Sequence, residues 1–185
     1  MESLTRAATL SPETLDAERG TIEATISTFA PVQRRGYLER LNPAGLDQSG
    51  LVGAPVLDGH RQGSARDVIG VVEAVRMEGD ALVATIRLSS APDVSSTVQK
   101  IKEGTVRGVS IGYAVTRWAE TVDPETRQRV RTATAWRIRE VSAVAVPADP
   151  AATFRSHTME NETLETEDRA ALIARVRAAH NLPEE

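Results

Sequence analysis

The 185-residue chain contains no cysteine, which excludes disulfides, thiolate metal sites and a thiol nucleophile by inventory alone. Aromatic residues are scarce at 3%, so the core must be assembled from Val, Ile, Leu and Ala, and the wealth of Val and Thr favours strands. Basic charge is not in surplus. With 22 Lys and Arg against 26 Asp and Glu the net charge is −4, and such a chain lacks the cationic excess that neutralises phosphates, so nucleic acid is not expected as a partner. No stretch approaches the roughly 20 apolar residues that cross a bilayer, and Met1-Glu2-Ser3-Leu4-Thr5-Arg6 lacks the apolar run of a secretion signal. The expectation is a soluble, non-exported protein with no membrane partner.

The hydrophobic share, 41%, and the charged share, 26%, are those of an ordinary globular chain, long enough for one core plus tails. Residues 1–20 are polar and unpatterned and read as a flexible lead-in, with Ser11-Pro12-Glu13 starting at most a helical turn. Over 21–29, Ile22, Ala24 and Ile26 alternate with Glu23, Thr25 and Ser27, the period of a half-buried strand. Residues 31–53 read as an irregular loop, and 54–57 as a short apolar run ending at Asp58-Gly59-His60. Two strands, 68–77 and 80–88, meet at Glu78-Gly79 as a hairpin. Pro92 and Asp93 then start a helix over 93–103, with Val94, Val98 and Ile101 on one stripe and Gly104 closing it.

Alternation returns over 106–115, with Val109, Ile111, Tyr113 and Val115 on one face and Gly108, Ser110, Gly112 and Ala114 on the other. Segments 116–122 and 128–138 flank Asp123-Pro124-Glu125-Thr126, a second hairpin signal, and 141–146 continues as a buried strand stopped by Pro147. Residues 156–168 are acidic and polar, and a helix over about 167–180 presents Leu172, Val176 and Ala179 on one stripe. The organisation predicted is a lead-in over 1–20, a mainly β body over 21–155, and an acidic linker with an amphipathic helix over 156–185.

Three histidines occur, and His157 and His180 fall in the tail, which leaves His60 as the one histidine of the body. A lone histidine at a strand end is more often structural than functional, so it needs a partner. Gly108-Val109-Ser110-Ile111-Gly112 matches the spacing of the G-x-S-x-G nucleophile elbow of α/β-hydrolases, but an elbow follows a strand and opens a helix, and here Ile111, Tyr113 and Val115 continue a strand. The order also differs from that of those hydrolases, because His60 precedes the serine. Two readings of Ser110 stay open: a strand-borne nucleophile that a substrate backbone can approach, or a face of small residues made for close packing. Glu140 lies in an apolar series if Ile138, Glu140, Ser142, Val144 and Val146 share a face. A carboxylate there needs a partner, either a histidine it orients or an arginine such as Arg137 or Arg139.

Taken in order, Asn42-Pro43-Ala44-Gly45-Leu46-Asp47, Pro55-Val56-Leu57-Asp58-Gly59-His60, Ile69-Gly70-Val71-Val72, Gly108-Val109-Ser110-Ile111-Gly112-Tyr113 and the run from Arg139 to Ala148 resemble the HK97-type prohead proteases of tailed bacteriophages, over about 21–154. That family is similar to the herpesvirus assembly proteases. The resemblance implies a small, closed or nearly closed antiparallel β-barrel with peripheral helices, and a serine nucleophile partnered by histidine. By position Ser110 matches the family serine, His60 the family histidine, and Glu140 the block where an acidic third member falls, with Asp58 as a lesser candidate. Also implied are peptide hydrolysis without metal or organic cofactor, and substrates comprising phage scaffold, capsid precursor and the chain itself. The setting would be the assembling prohead in the host cytoplasm, with self-association a further expectation and the tail a junction to scaffold sequence. The competing classes are a catalytically idle assembly module and a small serine esterase, the latter requiring an α/β sheet.

Overall fold

Residues 14–155 are described by the computed structural model. Thirteen segments of regular structure follow in chain order: strands β1 (Thr21–Ser27), β2 (Val32–Arg34) and β3 (Tyr37–Leu41), a 3-10 turn (Pro43–Gly45), β4 (Leu46–Asp47), β5 (Pro55–Asp58), a 3-10 turn (Ala65–Asp67), β6 (Val68–Glu78), β7 (Ala81–Leu88), a 3-10 turn (Pro92–Val94), helix α1 (Ser95–Lys102), β8 (Gly108–Val122) and β9 (Arg129–Val144). The expected lead-in, apart from residues 14–20, and the expected acidic linker and tail helix lie outside the described residues.

Both hairpins form where turn chemistry predicts them. Gly79 takes φ +56° between β6 and β7, a backbone that glycine adopts without penalty. Between β8 and β9 the Asp123 carboxylate accepts from the Glu125 N–H at 3.1 Å and the Thr126 N–H at 2.9 Å, the local bonding that makes aspartate a turn residue. Helix α1 is closed two residues beyond its end by Gly104, whose φ of +72° lets the chain turn back and its N–H reach the Ile101 carbonyl at 3.0 Å. The helix begins at Ser95 rather than Asp93 because Pro92–Val94 is wound as a 3-10 turn.

Most of the sheet runs in the order β1-β7-β6-β5-β9-β3-β2, with β4 and β8 also on β9. Strand β9 organises the molecule: β8 pairs antiparallel along one side, while β3, β4 and β5 share the other side in turn, all three parallel to β9. The sheet curls around Ile22, Ile26, Val56, Val72, Ile86, Val109 and Val141, and Val98 and Ile101 of α1 pack into the same core.

These pairings correct the expected closed antiparallel barrel. Three of the ladders are parallel, and the strand ladder does not close on itself. Between β1 and β8 lies only the Thr153–Phe154 segment, held by one isolated bridge to each side, Ala24 with Phe154 and Gly108 with Thr153. The architecture is a mainly β, curled half-barrel with one short α-helix among the described residues. The loop expected over 31–53 carries the β2–β3 hairpin and β4. The two runs expected over 106–122 are one strand, β8, and those over 128–146 merge into β9. The α/β sheet that an esterase would require is not what the described residues form.

Candidate active site

Strand β5 ends at Asp58 and delivers His60 on a tight turn. Gly59 and His60 both take left-handed backbone, at φ +65° and +62°, and the Gly59 N–H donates to the Ala143 carbonyl at 2.9 Å, tying the turn to β9. Left-handed backbone at a non-glycine residue costs on the order of 1–3 kcal/mol and persists where the surroundings over-determine it. Here the fixing contact is the Ser142 hydroxyl, which accepts the His60 N–H at 3.1 Å.

A bulge decides which residues of β9 face His60. Ile111 pairs with Val141 and Gly112 with Glu140, but Tyr113 pairs with Ile138, so Arg139 is the extra residue. Cross-strand partners share a face. Ile111 and Tyr113 therefore put both Val141 and Ile138 on one face, and Gly112 and Ser110 put Glu140 and Ser142 on the other. The expected series Ile138, Glu140, Ser142 is corrected: Ile138 does not share the glutamate's face, because the bulge inverts the alternation.

On that face His60 and Glu140 meet. The imidazole Nδ1 lies 2.6 Å from Glu140 Oε1, and Ser142 Oγ donates to Oε2 at 2.6 Å. Glu140 is 3% exposed, so its carboxylate is held by these two partners in place of water and does not pair with Arg137 or Arg139. An ionised carboxylate only accepts, so Nδ1 carries the proton and Nε2 of the neutral ring is left as a base. The glycine after Ser110 has a steric cause. A Cβ at Gly112 would overlap Glu140 Oε1 and stand 2.8 Å from its Cδ, so only glycine leaves room for the buried carboxylate. Gly108 is likewise pressed against the end of β9, where a Cβ would stand 2.5 Å from the Val144 carbonyl oxygen.

Ser110 is the third residue of β8 and the strand runs on to Val122, so the hydrolase elbow is not formed. Ser110 is the cross-strand partner of Ser142, a relation that sets Cα atoms about 4.5–5.5 Å apart. With His60 it lines a cleft of about 250 Å³ whose apolar wall includes Ile26, Val32 and Val109. Among the described residues no hydrogen bond joins the His60 ring to Ser110. Asp58 is turned elsewhere: its carboxylate pairs with Arg61 and accepts from Thr97 Oγ1 at 3.2 Å.

The far wall of the cleft is a polar cluster that the sequence pattern did not expose. Glu39, 7% exposed, accepts from Arg34 Nη2 at 2.9 Å and from the Tyr113 hydroxyl. Burial, reinforced by the bond to Glu39, pushes the Tyr113 phenol up to about 12, so it remains a neutral donor. Burial works against the Arg34 charge, but its bonds to Glu39 and Tyr113 outweigh that and raise it above its ordinary value. Ser142, which bonds both Glu140 and the His60 backbone, was not singled out by the sequence pattern either. Its one signal is a polar side chain two residues from Glu140 in an otherwise apolar run. Among the described residues no group of three or more His, Asp or Glu side chains is placed to hold a metal ion, and no helix is long and apolar enough to cross a membrane.

Residues 7–167 match the model of a family described as caudovirus prohead serine protease. The chain belongs to that family. Membership makes it a member of the phage capsid-maturation proteases and accounts for the ordered motif blocks, since the match spans all of them. No curated protein and no solved structure matches the chain, so the likeness to herpesvirus assembly proteases implied for this prohead protease has no solved structure behind it.

Proposed function

We propose that the protein is a serine endopeptidase in which Ser110 is the nucleophile, His60 the general base and Glu140 the acid that orients the imidazole. The observation that carries this reading is the 2.6 Å contact of His60 Nδ1 with the buried Glu140 carboxylate, beside a cleft that His60 shares with Ser110. A histidine held this way keeps Nε2 free for proton transfer.

In the first half-reaction Ser110 Oγ attacks the scissile carbonyl carbon while Nε2 takes the hydroxyl proton. The carbonyl π pair moves to oxygen, Glu140 stabilises the imidazolium, and collapse expels the amine, which takes the proton from Nε2. Water, deprotonated by the same nitrogen, then attacks the acyl carbon, and collapse breaks the bond to Ser110 Oγ, which takes the proton back from Nε2 as the carboxylic acid leaves. Backbone N–H donors at the oxyanion are worth roughly 3–4 kcal/mol each in such enzymes. The substrates proposed are scaffold, capsid precursor and the chain itself, cleaved inside the assembling prohead in the host cytoplasm without a cofactor.

The alternative of an idle assembly module is weaker because it gives no reason to bury an ionisable carboxylate against a histidine. Fluorophosphonate labelling followed by peptide mapping separates the two. The adduct is expected on Ser110 in the parent and absent in His60→Ala; a parent that takes no label, or takes it elsewhere, contradicts the reading.

A further inference from the structure

Ser142 is fully buried, yet its hydroxyl touches both members of the His60–Glu140 pair. Its hydrogen goes to Glu140 Oε2 and its lone pair receives the His60 backbone N–H. With the Nδ1 to Oε1 contact this closes a ring: His60 backbone to Ser142, Ser142 to carboxylate, carboxylate to His60 ring. Among the described residues no other side chain hydrogen-bonds to either partner.

We propose that Ser142 is a positioning residue, acting through Glu140 and the His60 backbone to aim the imidazole at Ser110; the proposal rests on the serine-protease reading above. β5 has ended by His60, so the sheet no longer supplies an acceptor for its N–H, and the left-handed turn has to be held by a side chain. A glutamate has several rotatable bonds, and a carboxylate with one partner can swing about it. A second donor on the other oxygen fixes the plane, so that Oε1 stays on Nδ1. The serine is small enough to sit between two strands and amphoteric enough to serve a donor and an acceptor at once. Alanine at this position leaves a buried N–H without an acceptor and a buried carboxylate oxygen without a donor.

The experiment uses the full chain and two independent readouts. His60 is one of three histidines, so its Nδ1–H proton, shifted downfield by the carboxylate, can be assigned by NMR with His60→Ala as reference. In Ser142→Ala that signal is expected to move or broaden into exchange. On a peptide substrate, kcat is expected to fall about 10- to 100-fold with KM unchanged. In a Glu140→Gln background, adding Ser142→Ala is expected to cost clearly less than in the parent, since only the His60 backbone anchor is then left to lose. An unchanged His60 signal together with unchanged kcat would overturn the proposal, as would an equal loss in both backgrounds, which marks a merely structural residue. If Ser142→Ala fails to fold, Ser142→Cys keeps the branchless shape in a slightly larger side chain with a weaker donor and is read the same way. A parent without peptidase activity would defeat the protease reading, while the NMR signal would still decide whether Ser142 positions His60.

Discussion

At the residue scale the site consists of a strained histidine, a buried glutamate, and the serine and glycines that leave them room. Replacing Ser110 or His60 by Ala should abolish cleavage with the fold retained, checked by circular dichroism beside a peptidase assay. Glu140→Gln keeps size and hydrogen bonding but removes the charge that stabilises imidazolium. In the serine-protease precedent such a change lowers turnover by about 10⁴, and a fall of orders of magnitude is expected here. Asp58→Asn should leave turnover nearly unchanged, because Asp58 bonds Arg61 and Thr97 instead of His60. A loss on Asp58→Asn with full activity in Glu140→Gln would transfer the acid role to Asp58. Gly112→Ala is the less obvious test. Its Cβ falls on the Glu140 carboxylate, so activity should drop nearly as far as in Glu140→Gln although residue 112 carries no chemistry.

At the scale of elements, β9 carries both the site and the core. Trp136, 2% exposed, donates its Nε1–H to the Asn42 carbonyl at 2.8 Å and meets Tyr113 and Phe29 edge-on, with centroids 5.9 Å and 6.2 Å away. Trp136→Ala should cost about 3–5 kcal/mol in urea unfolding. Trp136→Phe, which keeps most of the packing and loses the hydrogen bond, should cost less. The edge of β1 that meets residues 153–155 is tied by ions as well as by an isolated bridge. Glu23 of β1 pairs with Arg76 of β6, and Arg155 pairs with Glu78. The hydrogen bond from Arg76 is the main reason that the Glu23 carboxyl lies below its ordinary value of 4.5, and the bond from Arg155 does the same for Glu78. A lowered carboxylate pKa means stability that is complete above the unfolded value and lost as pH falls through the folded one. Between pH 7 and 5 exchange of the Thr25 and Arg155 amides, which bond across this edge, should show constant protection; below about pH 4 their protection should fall before that of the β6–β7 amides.

The same elements show what a sequence can reveal. Hairpins β6–β7 and β8–β9 were legible because their signals are local: Glu78-Gly79 in one, Asp123 and its neighbours in the other. Strand β1 and helix α1 were legible from their periodicity. The β2–β3 hairpin was hidden because Gln33, Arg34, Arg35 and Arg40 give it no apolar alternation. The parallel ladders of β9 join residues far apart in the chain, a relation no local pattern encodes. Arg139 looks like any strand residue, so the bulge that turns Glu140 and Ser142 towards His60 could not be seen. His60, Ser110 and Glu140 were singled out by residue type and resemblance, whereas Ser142 emerged only from its hydrogen bonds.

At the scale of the whole molecule, the curled sheet brings the turn after β5 and the start of β8 to one cleft, with the bulged part of β9 behind His60. The chain can therefore place a histidine, a serine and an acid from three distant segments on one small scaffold, with Arg34, Glu39 and Tyr113 as the opposite wall. The central claim is that this cleft cuts peptide bonds in phage assembly proteins. It is tested most directly by co-expressing the chain with its cognate scaffold and capsid precursor and reading the products by intact-mass spectrometry, parent against Ser110→Ala. The account predicts defined cleavage of both partners by the parent and uncut partners with Ser110→Ala. Equal processing by the two, or none by the parent in assembled proheads, would contradict it.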